Sequence, residues 1–225
     1  LTLAHDSDAN GQQIAREGGI GAVVAAMKRH PDSAAVQQYG CGALRNLTVN
    51  DDAIRQQIAR EGGIGAVVAA MKRHPDSAAV QEWGCWALTN LAASNNDANR
   101  QQIAREGGIG AVVAAMKRHP DSAAVQEYGC GALRNLAHNN DAIRQQIARE
   151  GGIGAVVAAM KAHADSAAVQ ENGCAALHNL ALNDAIKRQI AREGGVERLR
   201  EAKRRHAGNV VEYAGRALGL LSGYY

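Results

Sequence analysis

Phenylalanine is missing from this chain, and with two Trp and five Tyr the aromatics make up only 3% of its 225 residues. Most folded domains fill their interiors partly with aromatic rings. Here the interior must come from aliphatic residues, and the 46% hydrophobic content is largely Ala and Val, which suits close helix packing. No run of about 18 apolar residues occurs, so no transmembrane span is expected, in keeping with a mean hydropathy of −0.27. The N-terminus carries no signal-peptide pattern. Strong charge of one sign is also lacking. A net charge of +3 and a pI near 8.8 permit an acidic partner without implying nucleic acid.

Repetition is what the chain has instead. The segment from Gln12 to Gln37 recurs letter for letter at Gln56–Gln81 and Gln101–Gln126, and a slightly altered copy spans Gln145–Gln170. Gly-Gly pairs begin at Gly18, Gly62, Gly107, Gly151 and Gly194, a period of 43–45 residues. That exceeds the roughly 34 residues of two-helix repeats and falls in the range of about 40–47 for HEAT and armadillo units. The extra residue in the second step fits the loop Ala93-Ser94-Asn95-Asn96.

One unit reads as three helices. Asn50-Asp51-Asp52 is a helix-start signal, followed by a short helix over Ala53–Arg60 with Ile54 and Ile58 on one face. Gly62-Gly63 ends it, because glycine accepts the left-handed conformation of a helix C-terminus. A second helix is expected from Ile64 to Arg73, stopped by His74-Pro75, and a third from Ala78 to Ala92, capped by Asp76 or Ser77.

Three helices per unit, the Gly-Gly-Ile turn and the later Trp86-Ala87-Leu88-Thr89-Asn90 resemble the armadillo-repeat family over nearly the whole chain. The resemblance, to β-catenin- and importin-α-like arrays, implies an all-α fold: a right-handed α-solenoid superhelix with three helices per repeat and a concave groove lined by third helices. It implies one array over 1–225, with a partial unit at 1–17, repeats at 18–61, 62–106, 107–150 and 151–193, and a C-terminal capping unit at 194–225. Glu197, Arg198, Arg200, Glu201, Lys203, Arg204 and Arg205 polarise the second helix of that last unit, as a cap requires. At the other end Leu1–His5 looks like the tail of a third helix, comparable to Leu133–His138, so self-association through an uncapped N-terminal end is one expectation. The four cysteines, Cys41, Cys85, Cys130 and Cys174, share one position in successive repeats. Stacked helices lie roughly 8–10 Å apart and a disulfide needs Cα atoms within about 7 Å, so free buried thiols and a reducing compartment, cytoplasmic or nuclear, are expected.

The positions that break the repetition are the candidate site. On a helical wheel Val36, Gly40, Ala43, Leu44 and Leu47 fall within about −20° to +80° and barely change between repeats. The changing positions occupy a separate sector at about 180–300°. There Tyr39 becomes Trp83, Tyr128 and Asn172; Gly42 becomes Trp86, Gly131 and Ala175; Arg45 becomes Thr89, Arg134 and His178; Val49 becomes Ala93, His138 and Leu182. Aromatics and Arg, the residue types enriched at binding hot spots, gather on this stripe, with bridging between adjacent repeats as the alternative role for Tyr39 and its counterparts. Asn46, Asn90, Asn135 and Asn179 recur on it without change. Asn is a poor mid-helix residue, but its amide offers both acceptor and donors. The resemblance implies that this ladder holds the backbone of an extended peptide; the alternative is a side-chain bond to a neighbouring helix.

The chain departs from an importin-like groove in having one Trp, Trp86, four residues before the Asn, where Gly42, Gly131 and Ala175 are expected to leave open pockets. Arg45, Arg134, His138, His178 and Arg216 replace an acidic rim, so an acidic or neutral segment fits better than a basic one. His30, His74, His119 and His163 stand one per repeat, too far apart to share a zinc ion, and read as surface residues at helix ends. Neither cofactor nor metal is expected, and no catalytic group: ladders of identical residues do not assemble the unlike groups that catalysis needs. Gly18-Gly19-Ile20-Gly21 lacks the spacing of a nucleotide-binding loop. The expected function is therefore a non-enzymatic peptide- or protein-binding scaffold using Tyr39, Arg45, Asn46, Trp83, Trp86, Asn90, Tyr128, Arg134, Asn135 and Asn179. The alternatives are an engineered or consensus array without a natural partner, favoured by the perfect repeats, and a nucleic-acid-binding solenoid using the Lys28-Arg29, Lys72-Arg73 and Lys117-Arg118 edge.

Overall fold

The computed structural model describes residues 8–48, 51–93 and 96–224; Val49, Asn50, the loop tip Ser94-Asn95 and the tail Leu1–His5 lie outside them. Fifteen helices and no strand occur among the described residues. Two compact units are formed, Leu1–Ala115 and Met116–Tyr225. The first contains α1 (Asp8–Arg16), α2 (Gly19–Arg29), α3 (Ala34–Leu47), α4 (Asp52–Arg60), α5 (Gly63–Arg73), α6 (Ala78–Leu91), α7 (Asp97–Arg105) and most of α8 (Gly108–Arg118). The second contains the end of α8, then α9 (Ala123–Leu136), α10 (Asp141–Arg149), α11 (Gly152–Ala162), α12 (Ala167–Ala181), α13 (Asp184–Arg192), α14 (Gly195–Arg205) and α15 (Asn209–Leu220).

The ends of α4, α5 and α6 show the local causes at work. The Asp51 carboxylate accepts from the Ile54 amide at 3.0 Å and opens α4, while Ser77, not Asp76, caps α6 by accepting from Val80. Between α4 and α5 the chain turns through Gly62 at φ 83°, a left-handed conformation that costs a residue with a Cβ. Gly63 serves a different purpose: a Cβ there would sit 2.4 Å from Ile58 Cγ2 and 3.0 Å from the Ile58 carbonyl oxygen, so only glycine lets the two helices approach this closely.

The core is aliphatic. Ile58, Ile64, Val67, Leu88 and Leu91 are fully buried in the first unit, as are Leu133, Leu136, Ile147 and Ile153 in the second. Each contributes about 1.5–3 kcal/mol through removal from water. Ala22 and Ala26 of α2 are exposed, whereas their counterparts Ala66 and Ala70 in α5 are buried. The difference arises because α5 packs against α2 of the preceding repeat.

Buried amides tie helices together. Gln81, 2% exposed, donates from Nε2 to the carbonyls of Met71 at 2.9 Å and His74 at 2.8 Å, satisfying the C-terminal end of α5. Gln37, Gln126 and Gln170 do the same in their own repeats. The histidines at the ends of second helices also connect repeats. His74 Nε2 meets the Pro31 carbonyl at 2.7 Å, and His163 meets that of Pro120 at 2.7 Å. In the last repeat α14 is polar, with Arg198 paired to Glu197 and Glu201.

Candidate functional site

In the first unit the face of α3 and α6 carries a cation held against two indoles. The Arg45 guanidinium carbon lies 3.2 Å from the ring centroid of Trp86 and 5.7 Å from that of Trp83. The two indoles stack with centroids 6.2 Å apart and planes inclined by 29°. Arg45 Nη1 also donates to the amide oxygen of Asn46, which is buried at 9% exposure. Nearly two turns earlier on α3, Tyr39 stands out at 56% exposure.

The expected pocket at Gly42 is not there. A Cβ on Gly42 would lie 2.7 Å from Trp83 Cε3, because the indole from the next repeat lies across it. The space left by omitting a side chain is used for packing within the chain. Ala175 leaves no pocket either, being 1% exposed.

The second unit carries a related but more polar arrangement on α9, α12 and α15. Arg134 donates from Nη1 to Asn172 Oδ1 at 3.3 Å and from Nη2 to the Tyr213 hydroxyl at 3.1 Å. Its guanidinium carbon stands 5.1 Å from the Tyr213 ring centroid. His178 lies 6.5 Å from the same ring. Burial, and then the positive charge of Arg216, push its imidazole below the usual histidine range, favouring the neutral ring. Arg216 itself pairs with Glu212. Tyr128 and Asn135 are half-buried on α9.

Two of the four asparagines engage the preceding third helix. Asn90 Nδ2 donates to Thr48 Oγ1 at 3.0 Å and lies 3.4 Å from the Arg45 carbonyl, while Asn179 Nδ2 donates to the Arg134 carbonyl at 2.9 Å. The amide donors thus reach the end of the preceding third helix, the second of the two roles their position allows. Thr48 is not among the residues that the sequence pattern singles out, although it stands where the other repeats have Ala92, Ala137 and Ala181. Thr89, the counterpart of Arg45, turns its hydroxyl back to the Cys85 carbonyl at 2.8 Å.

Elsewhere the reactive groups are shielded. All four cysteines are free and buried, and burial pushes the thiols of Cys41, Cys85 and Cys174 up to about 12. No group of three His, Cys, Asp or Glu able to hold a metal ion occurs among the described residues. No described helix is long and apolar enough to cross a membrane. The basic edge is partly neutralised, since Arg73 pairs with Asp32 and Lys72 donates to the Glu106 carbonyl at 3.3 Å.

Comparison with known proteins agrees with this architecture. The family model described as LRRK2 ARM repeat matches residues 56–192. A crystal structure of an engineered protein is similar with a TM-score of 0.87 and 26% identity, covering 98% of this chain and 88% of its own. A designed armadillo repeat protein superposes with a TM-score of 0.86 at 21% identity, covering 98% and 90%. Another, in complex with the peptide (KR)4, gives 0.84 at 20% identity, covering 98% and 89%. No curated protein sequence matches. The chain is thus an all-α solenoid scaffold, and it belongs to the LRRK2 ARM repeat family of armadillo-repeat proteins.

Proposed function

We propose that the chain is a non-enzymatic peptide-binding scaffold whose third-helix faces hold an extended segment of acidic or neutral character. The observation that carries this reading is that, within the third helices, variation between repeats is confined to that face, which carries Arg45, Tyr39, Trp83 and Trp86 in the first unit and Arg134 and Tyr128 in the second. A designed armadillo protein of the same fold is described in complex with (KR)4. In this chain the face presents guanidinium groups, so charge complementarity favours the opposite peptide. Asn90 and Asn179 spend amide donors on the preceding third helix, and their amide oxygens are the groups this reading assigns to a peptide N–H. The free thiols suit a reducing compartment.

Fluorescence polarisation with labelled peptides tests this. An alternating Glu-Ser peptide should bind more tightly than (KR)4, and added salt should weaken it. Asn90→Ala combined with Asn179→Ala should reduce the affinity while circular dichroism stays native. Equal binding of acidic and basic peptides, or acidic binding unchanged in the double variant, would refute the reading. Three copies of one 26-residue block, Gln12–Gln37, and engineered structural neighbours support a second reading, an engineered array without a natural partner. A screen of random extended peptides that returns no shared motif would favour it.

A further inference from the structure

We propose that Arg45 is a built-in occupant of the cation-binding face of Trp86, and that it thereby determines which charge of side chain the first unit accepts. The proposal rests on the peptide-binding reading above and adds the residue that sets its specificity. A cation gains from an indole when it lies within about 6 Å of the ring centroid over its face. The Arg45 guanidinium carbon satisfies this for both rings, at 3.2 Å from Trp86 and 5.7 Å from Trp83. The seat is well defined. Trp83 lies across Gly42, with Cε3 2.7 Å from where a Cβ would be, and stacks beside Trp86. Asn46, 9% exposed, gives its amide oxygen to Arg45 Nη1.

An aromatic face and a neighbouring amide oxygen are the two groups that the head of an incoming Lys or Arg side chain would need. Arg45 uses both. A second cation cannot share the seat, because it would meet the guanidinium charge as well as lose the ring. The residue that attracts an acidic peptide therefore also excludes a basic one. The repeat supplies its own contrast. Thr89, at the equivalent position, carries no charge and bonds back to the Cys85 carbonyl. In the second unit Arg134 sits 5.1 Å from the Tyr213 centroid with Asn172 as acceptor, a related use of guanidinium, aromatic ring and amide oxygen.

The test is Arg45→Thr, which installs the residue of the next repeat. Trp83 and Trp86 are the only tryptophans in the chain, so indole emission reports on this site alone. Labelled (KR)4 should bind Arg45→Thr roughly five- to tenfold more tightly than it binds the wild type, with a saturable change in tryptophan emission. The gain should vanish in Arg45→Thr/Trp86→Ala. Arg60→Thr, which removes the same charge from an exposed helix end, should show no such gain. With native circular dichroism, an unchanged (KR)4 affinity in Arg45→Thr, an equal gain in Arg60→Thr, or a gain that survives loss of Trp86 would each overturn the proposal. An alternating Glu-Ser peptide titrated into the wild type separates this from the function itself. If it fails to bind while Arg45→Thr gains (KR)4, the acidic preference falls and the seat on Trp86 stands. If it binds and Arg45→Thr gains nothing, the reverse holds.

Discussion

Replacing Gln81 by Leu tests the claim that a buried amide, and not apolar packing alone, joins the second and third helices. Leu is similar in size and keeps the site filled, so the change isolates the hydrogen bonds. Gln81 is 2% exposed, and its Nε2 satisfies two carbonyls, those of Met71 at 2.9 Å and His74 at 2.8 Å. Each lost bond costs about 1 kcal/mol net, and an acceptor left buried without a donor costs about 1–3 kcal/mol. The Met71 bond is buried, whereas water can reach the half-buried one at His74. The expected loss is therefore about 2–4 kcal/mol, a fall in melting temperature of roughly 5–15 °C for a chain of this size. Thermal unfolding followed at 222 nm by circular dichroism measures it. Glu82→Ala, the adjacent half-buried position, should stay within about 0.5 kcal/mol of the wild type. Gln81→Glu adds a pH signature. A carboxylate facing two carbonyls is disfavoured, so its folded pKa would rise above the unfolded value of about 4.3. The stability of that variant should be greatest below about pH 4.3 and fall as pH rises through the folded pKa. A melting temperature for Gln81→Leu within 2 °C of the wild type would refute the reasoning, because the carbonyls would then have found no need of the amide.

Gly62→Ala should cost about 1–2 kcal/mol by thermal denaturation, since φ is 83° there. Gly63→Ala should cost more, because the new Cβ would meet the Ile58 backbone oxygen at 3.0 Å. The thiols of Cys41, Cys85 and Cys174, pushed up to about 12, should resist Ellman's reagent at pH 8 and react fully in guanidinium; prompt native labelling would contradict their burial. The depressed pKa of His178 means that the unfolded chain binds its proton first. Stability should therefore fall as pH drops below about 6.5, and His178→Asn should remove that part of the dependence in urea titrations at several pH values.

The repeat and its helices were legible because they follow from local chemistry. Ser77 caps a helix wherever a chain turns into one, Gly62 is needed wherever φ is positive, and the periodic Ile, Val and Leu positions name the buried face before any packing is known. The Gly-Gly turn and the Trp86–Asn90 segment carry the armadillo pattern within such a unit. The candidate face was also visible, since comparing repeats separates positions that must fill a core from positions free to vary.

What those side chains do was decided only in three dimensions. Gly42 reads as an empty pocket until Trp83, 41 residues later, lies across it. Asn90 offers donors to any partner until the Thr48 hydroxyl, 42 residues earlier, takes one. Gln81 belongs to the invariant block and reads as scaffold, yet its amide holds two carbonyls of the preceding helix. Arg45 reads as a cation offered to a peptide on the varying face, and only the fold sets it on Trp86. The sequence by itself determined the elements, because caps, turns and hydrophobic period act over a few residues. The tertiary structure decided the state of the site, because its contacts join residues about one repeat apart whose meeting no local preference encodes.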